Sequence, residues 1–230
     1  MTPTVRWKIF PDASTLAAAA AEYILNTARA ALKARGEFHL VLAGGSTPLA
    51  TYAELARRQA NTHHWKIYFG DERCLPVNDS GRNDTQSRQA WLDSASIPPE
   101  NIHAIPAELG PARAAQAYAE TLRGVPAFDL VLLGLGEDGH TASLFPGLFS
   151  EEASGGADVL AIKNAPKAPR ERVTLSPARL SRAHQVLFLV TGKGKRHAVA
   201  AWRRGDNLPA RYVVPATAVE VWIDAAAEFS

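Results

Sequence analysis

FDLVLLGLGEDGHTASLFP, from Phe128 to Pro146, is the stretch that decides the fold class. It opens on Phe128-Asp129-Leu130-Val131-Leu132-Leu133, an apolar run of strand length, then turns through Gly134-Leu135-Gly136. Glu137, Asp138 and His140 arrive together, followed by Thr141 and Ser143. A buried strand that runs into a glycine turn crowded with ionisable groups is the layout of an α/β site. In such sheets ligands sit beyond the carboxyl ends of the strands. Glycines there let the backbone approach a ligand or take positive φ.

Outward from this stretch, strand-like and helix-like segments alternate. Toward the N-terminus, Val5 to Phe10 alternates as a strand. Pro11-Asp12 breaks it, and Asp12 is placed to cap a helix from Ala13 to about Arg35. That helix carries Leu16, Ala20, Ile24, Ala28 and Leu32 on one face, with Gly36 as its C-terminal stop. Phe38 to Ala43 and Trp65 to Phe69 read as buried strands, with a helix started by Pro48 between them. A polar loop from Pro76 to Asn83 leads to a helical segment around Ala90, Trp91 and Leu92; Pro111 opens another helix, ended by Gly124. Toward the C-terminus, Ser150 to Pro169 is small and polar, with one apolar run from Val159 to Ile162. Arg172 to Ser176, Gln185 to Thr191 and Val219 to Ile223 read as strands, the last closing the sheet, with a helix through Val199 and Trp202. No repeat or linker divides the chain. The order predicts an α/β fold: one domain over residues 1–230, with a mostly parallel, Rossmann-like sheet and helices on both faces.

Composition narrows the function classes. The 230 residues are 47% hydrophobic and 21% charged, enough to bury a core, and net charge is only +2. That balance does not call for a nucleic-acid or membrane partner. One cysteine, Cys74, excludes an intramolecular disulfide and fits a reducing compartment. No apolar run is long enough to span a bilayer, and Val5 to Phe10 is too short and too charged for a signal peptide. The expectation is a cytoplasmic protein, a monomer or a weak homodimer, with a small molecule as its partner.

Gly134 to Gly139 matches G-x-G-x-x-G after a strand, the dinucleotide fingerprint. Glu137 and Asp138 stand where a pyrophosphate would have to lie, so that reading is set aside. Asp138-Gly139-His140 has better chemistry. Imidazole titrates near neutrality and takes a proton from water, and a carboxylate two residues away fixes its tautomer. The plainer alternative, a solvated surface histidine beside a capping aspartate, loses weight next to a glycine turn at a strand end.

Gly44-Gly45-Ser46-Thr47-Pro48 joins a buried strand to a helix. Free N–H groups at a helix start, with two hydroxyls, make an anion site; simple N-capping by Ser46 or Thr47 is compatible with it. Gly192-Lys193-Gly194-Lys195 follows another strand, and its lysines can complete a phosphate site or merely face water. Asp71-Glu72-Arg73 ends a third, placing Arg73 on a substrate and Asp71 on a hydroxyl or reacting group, or else forming a surface ion pair of little worth. His63, His64 and Cys74 fit no zinc spacing, and no metal or cofactor is expected. The five tryptophans read as core or partly buried. Clusters at four strand ends, after Ala43, Phe69, Leu133 and Thr191, point to one shared site: an anion cradle beside an acid/base pair, in an enzyme acting on a small phosphorylated metabolite.

At these residues the chain resembles the 6-phosphogluconolactonase family, within the glucosamine/galactosamine-6-phosphate isomerase superfamily. The resemblance lies in AGGSTP (Ala43 to Pro48), GDER (Gly70 to Arg73), Arg82-Asn83-Asp84, LGLGEDGHTASLFPG (Leu133 to Gly147), ERVTLS (Glu171 to Ser176) and TGKGKR (Thr191 to Arg196), in family order over nearly the whole chain. It implies hydrolysis of 6-phospho-D-glucono-1,5-lactone without metal or cofactor. It further implies His140 as the base that activates water and Asp138 as its support. Gly44, Gly45, Ser46, Thr47 and Lys195 would hold the phosphate, and Asp71, Arg73 and Arg172 would line the pocket. The related deaminases read DGHIAFNEP, with a glutamate just before the proline; Phe145 stands there here, which favours plain lactone hydrolysis.

Overall fold

A computed structural model describes residues 4–148 and 156–228. The polar stretch read from Ser150 onward therefore lies, as far as residue 155, outside the described residues.

The chain forms β1 (Val5–Phe10), α1 (Ala13–Arg35), β2 (Phe38–Leu42), α2 (Ser46–Arg58), β3 (Trp65–Phe69), β4 (Asp71–Arg73), α3 (Asn83–Ala90) and β5 (Ile102–His103). It continues with α4 (Pro111–Thr121), β6 (Leu130–Leu133), β7 (Val159–Ile162), β8 (Arg172–Leu175), α5 (Pro177–Ser181), β9 (Val186–Val190), α6 (Arg196–Arg204) and β10 (Val219–Asp224). Seven strands make one sheet in the order β1-β10-β9-β6-β2-β3-β5, and every neighbouring pair is parallel.

The reasons are local. Asp12 accepts the N–H of Thr15 at 2.7 Å, and Gly36, at φ 79°, closes α1 with a bond to the Leu32 carbonyl. The N-terminal cap contributes about 1 kcal/mol. The buried face of α1 carries Leu16, Ile24 and Leu25 among small alanines. Each large apolar side chain so buried stabilises by roughly 1.5–3 kcal/mol. Strands β2, β6 and β9 are buried at every position, as strands covered on both faces must be. Helix α1 packs against α2, and α4 packs against β7 and β8. The tryptophans lie as expected: Trp65, Trp91, Trp202 and Trp222 are buried and Trp7 is partly so.

Two expectations need correction. Asp71–Arg73 is not the tail of β3; with β8 and β7 it forms a separate antiparallel sheet in the order β4-β8-β7. And β10 does not close the main sheet at an edge: it lies between β1 and β9, and β1 is the edge strand.

Candidate active site

The strand order reverses between β2 and β6. From β2 the chain moves outward to β3 and β5; from β6 it moves the other way to β9 and β10. A crevice opens at such a reversal, outside the carboxyl ends of the strands. A cleft of about 340 Å³ lies there. Its walls include Gly44, Gly45, Ser46 and Thr47 after β2, Asp71 and Arg73 on β4, His140 after β6, Arg172 on β8, and Lys195 after β9. The four separated clusters thus meet in one place, and all the sequence-predicted residues except Asp138 line it.

The β2–α2 junction is built for an anion. Gly45 is the N-terminal cap residue, at φ 105°. Ser46 and Thr47 are already inside the first turn, and no side chain caps the helix, so the capping alternative for these hydroxyls is not realised. Pro48 is consequently the third residue of the helix. The first-turn N–H groups carry the positive end of the helix dipole. Thr47 Oγ1 lies 2.7 Å from Thr191 Oγ1, which ties the start of α2 to the end of β9. Lys195 follows in a short turn before α6; burial lowers its pKa, and the nearby Glu137 carboxylate opposes that.

The turn after β6 contains no helix, which removes the structural context of the dinucleotide fingerprint. Instead it folds back on itself. The Gly136 N–H donates to the His140 carbonyl at 2.7 Å, and the Thr141 hydroxyl to the Gly134 carbonyl at 2.8 Å. Gly139 and Ala142 take positive φ, of 82° and 47°. For alanine this costs about 1–3 kcal/mol, the kind of strain that surrounding structure sustains at functional sites. His140 Nδ1 is hydrogen-bonded to Asp138 Oδ1. A carboxylate only accepts, so Nδ1 carries the proton and Nε2 keeps its lone pair. Burial pushes the His140 pKa below its ordinary value; Asp138 pulls it back upward and Lys167 opposes that. For Asp138, burial raises the pKa, but the bond to His140 and the charges around it bring it below the ordinary carboxylate value. The Phe145 ring, itself buried, packs 4.6 Å from the imidazole. Asp138 therefore stands behind His140, outside the cleft.

Arg73 donates from Nη1 to the Gly81 carbonyl, while its Nε is buried without a partner. Arg172 is largely taken up by its own chain. Its Nε and Nη2 donate to the carbonyls of Pro169, Ala168 and Lys167 at 3.1, 3.3 and 3.4 Å. It thereby holds a loop that brings Lys167 to the cleft wall. Lys167 is a residue that sequence reasoning missed, because it sits in a polar, proline-containing stretch rather than at a strand end. Asn83 and Glu137 also line the cleft; a site was read in neither, although both lie inside quoted motifs. His63 and His64 precede β3, whereas Cys74 follows β4. Among the described residues no group of three or more His, Cys, Asp or Glu is placed to hold a metal ion.

A parallel sheet with a cationic cleft at its reversal point, and an Asp-supported imidazole on the rim, defines an α/β protein built to hold a small anion beside a base. The chain belongs to the family described as glucosamine-6-phosphate isomerases/6-phosphogluconolactonase, whose model matches residues 11–222. It is similar to the 6-phosphogluconolactonase of Mycobacterium leprae, 36% identical over 208 residues and 84% of each chain. It is 34% identical to that of a Nostoc species over 233 residues, 96% of this chain and 95% of the relative. The crystal structure of 6-phosphogluconolactonase from Thermotoga maritima superposes with a TM-score of 0.87 at 26% identity, covering 96% of this chain and all (100%) of that one.

Proposed function

We propose that this chain hydrolyses 6-phospho-D-glucono-1,5-lactone to 6-phospho-D-gluconate, the lactonase step of the pentose phosphate pathway. The observation that carries this reading is the meeting, in one cleft, of an anion cradle and an imidazole whose Nε2 is left basic by Asp138. The named relatives, which match along most of their length, support it.

In this mechanism the phosphate binds at the first turn of α2, against Gly44, Gly45, Ser46, Thr47 and Lys195. Remote binding energy is thereby converted into orientation of the lactone carbonyl. Arg73 and Arg172 line the rest of the pocket, with Asp71 as a hydroxyl acceptor. His140 Nε2 takes a proton from water as the water oxygen adds to C1. The tetrahedral intermediate then collapses, the C1–O5 bond breaks, and the imidazolium returns its proton to the departing ring oxygen. The carboxylic acid formed ionises, so each turnover releases one proton to solvent. Asp138 stays ionised and steadies the imidazolium between the two steps. A δ-lactone is a reactive ester, and this route needs neither a covalent nucleophile nor a cofactor.

The chain is further proposed to be one domain in residues 1–230, cytoplasmic, and a monomer or weak homodimer, with the sugar-phosphate lactone as its partner rather than nucleic acid or membrane. No helix among the described residues is long and apolar enough to cross a membrane. Light scattering across a concentration series checks the oligomeric state.

Proton release on addition of the lactone tests the activity. His140→Asn is expected to lower kcat by about 10²–10⁴-fold, the usual worth of a general base. An unchanged kcat would remove His140 from the mechanism. Ammonia release from glucosamine 6-phosphate, with no proton release from lactone, would replace the reading with a deaminase.

A further inference from the structure

Two adjacent carboxylates on β4 face opposite ways, as successive strand residues do. Glu72 is fully buried and does not line the cleft. It accepts the backbone N–H groups of Arg73, Asn83 and Asp84 at 2.8, 2.7 and 2.9 Å, which fastens the start of α3 to β4. Asp71 faces the cleft. Its Oδ2 accepts the Ser143 hydroxyl at 2.6 Å, and its Oδ1 accepts the Asn83 amide at 3.0 Å. Ser143 is 0% and Asn83 2% exposed.

The orientation of Asn83 follows from chemistry. Its Nδ2 also donates to the Asp71 carbonyl at 2.9 Å, and both partners only accept, so the amino end must face them. The amide oxygen then points the other way, where it has no hydrogen-bond partner and packs on Gly44; a Cβ at Gly44 would stand 2.0 Å from it. Ser143 lies on the same turn as His140, and its N–H is directed at the Thr174 hydroxyl at 3.3 Å. One contact path therefore joins the His140 turn, Asp71, α3 and the glycine loop after β2. Each Asp71 oxygen has one donor and retains a further lone pair. Without these donors the carboxylate would be free to change rotamer and pair with a cleft arginine.

We propose that Ser143 and Asn83 are positioning residues that fix the Asp71 carboxylate as the acceptor for one substrate hydroxyl, and so set where the sugar ring lies relative to His140. This rests on the lactonase reading above. Asp71 contacts substrate; Ser143 and Asn83 act through it.

The test is a double-mutant cycle of Ser143→Ala with Asp71→Asn on lactone hydrolysis, with melting curves for each variant and a crystal structure of Ser143→Ala. In the wild-type background Ser143→Ala is expected to lower kcat/KM about 10–100-fold, as for loss of a hydrogen bond to a charged group. In the Asp71→Asn background the loss should be under about 3-fold. The crystal structure should show the Asp71 carboxylate turned from its present direction. Should Ser143→Ala not fold, Asn83→Ala enters the same cycle under the same criteria. Mono-deoxy lactones at C2, C3 and C4 identify the hydroxyl: wild type should reject one of them, and Asp71→Asn should lose that discrimination. Equal losses in both backgrounds, an unmoved Asp71, or discrimination kept by Asp71→Asn would each overturn the proposal. A wild-type chain inactive on the lactone sinks the functional reading instead, and the Ser143→Ala structure then decides the clamp by itself.

Discussion

At Gly136 a single methyl group is expected to separate folding from catalysis. A Cβ there would lie 2.0 Å from His140 Nδ1 and 2.5 Å from Asp138 Oδ1, inside the bond that sets the tautomer. The imidazole must therefore move, while the sheet beneath is untouched. Gly136→Ala should lower kcat about 10²-fold, the cost of a misplacement near 1 Å, with an unchanged melting transition. A fully active Gly136→Ala would show that the His140–Asp138 contact is dispensable. The same imidazole fixes the acid limb of the pH–rate profile. Burial holds its pKa below the ordinary value of about 6.5, and only the neutral form is a base. Activity should therefore fall as pH drops through a midpoint below about 6.5. An Asp138→Asn variant, which loses the upward pull, should shift that midpoint lower still; a midpoint that rises instead would contradict the assigned electrostatics.

At the scale of elements, α3 depends on a residue outside itself. Glu72 accepts the Asn83 and Asp84 N–H groups at its start and lies 3.9 Å from the buried Arg82. Burial raises the Glu72 pKa, while its N–H donors oppose that rise. Glu72→Ala would leave these donors unpaired and Arg82 with Asp84 and Glu108 as its remaining carboxylate partners. A loss of about 3–5 kcal/mol in chemical denaturation is expected; a loss under 1 kcal/mol would mean that water replaces the carboxylate. This arrangement also marks the boundary of what the sequence made legible. Helix α1 was readable to the residue because its signals are local: Asp12 at one end, Gly36 at the other, a four-residue apolar step between. The four site-bearing clusters were readable because each follows an apolar strand. The sheet β4-β8-β7 was not, since β4 is three residues long and pairs with a strand about a hundred residues on. Asn83 and Lys167 were missed for the same reason: distant partners, not local patterns, bring them to the cleft, and Ser143 meets it only through Asp71.

At the scale of the whole molecule, the near-neutral net charge of +2 conceals a polarised cleft. Arg73, Lys167, Arg172 and Lys195 line it against the carboxylates of Asp71 and Glu137. These charges come from β4, β8 and three loops, so only the folded chain assembles them. A phosphorylated lactone approaches as an anion, and a cationic cleft with low-dielectric walls raises its encounter rate. Salt shortens the reach of that field from about 30 Å at 0.01 M to about 8 Å at 0.15 M. Over that range kcat/KM for the phosphorylated lactone should fall roughly 3–10-fold, whereas unphosphorylated gluconolactone should show no trend. Lys195→Ala should weaken the phosphorylated substrate far more than the unphosphorylated one and flatten the salt response. If both lactones lose equally with Lys195→Ala, the phosphate is held elsewhere on the rim. The competing candidate is then Lys167, the cleft-lining cation on the loop that Arg172 supports, and Lys167→Ala would carry the discrimination that Lys195→Ala lacks.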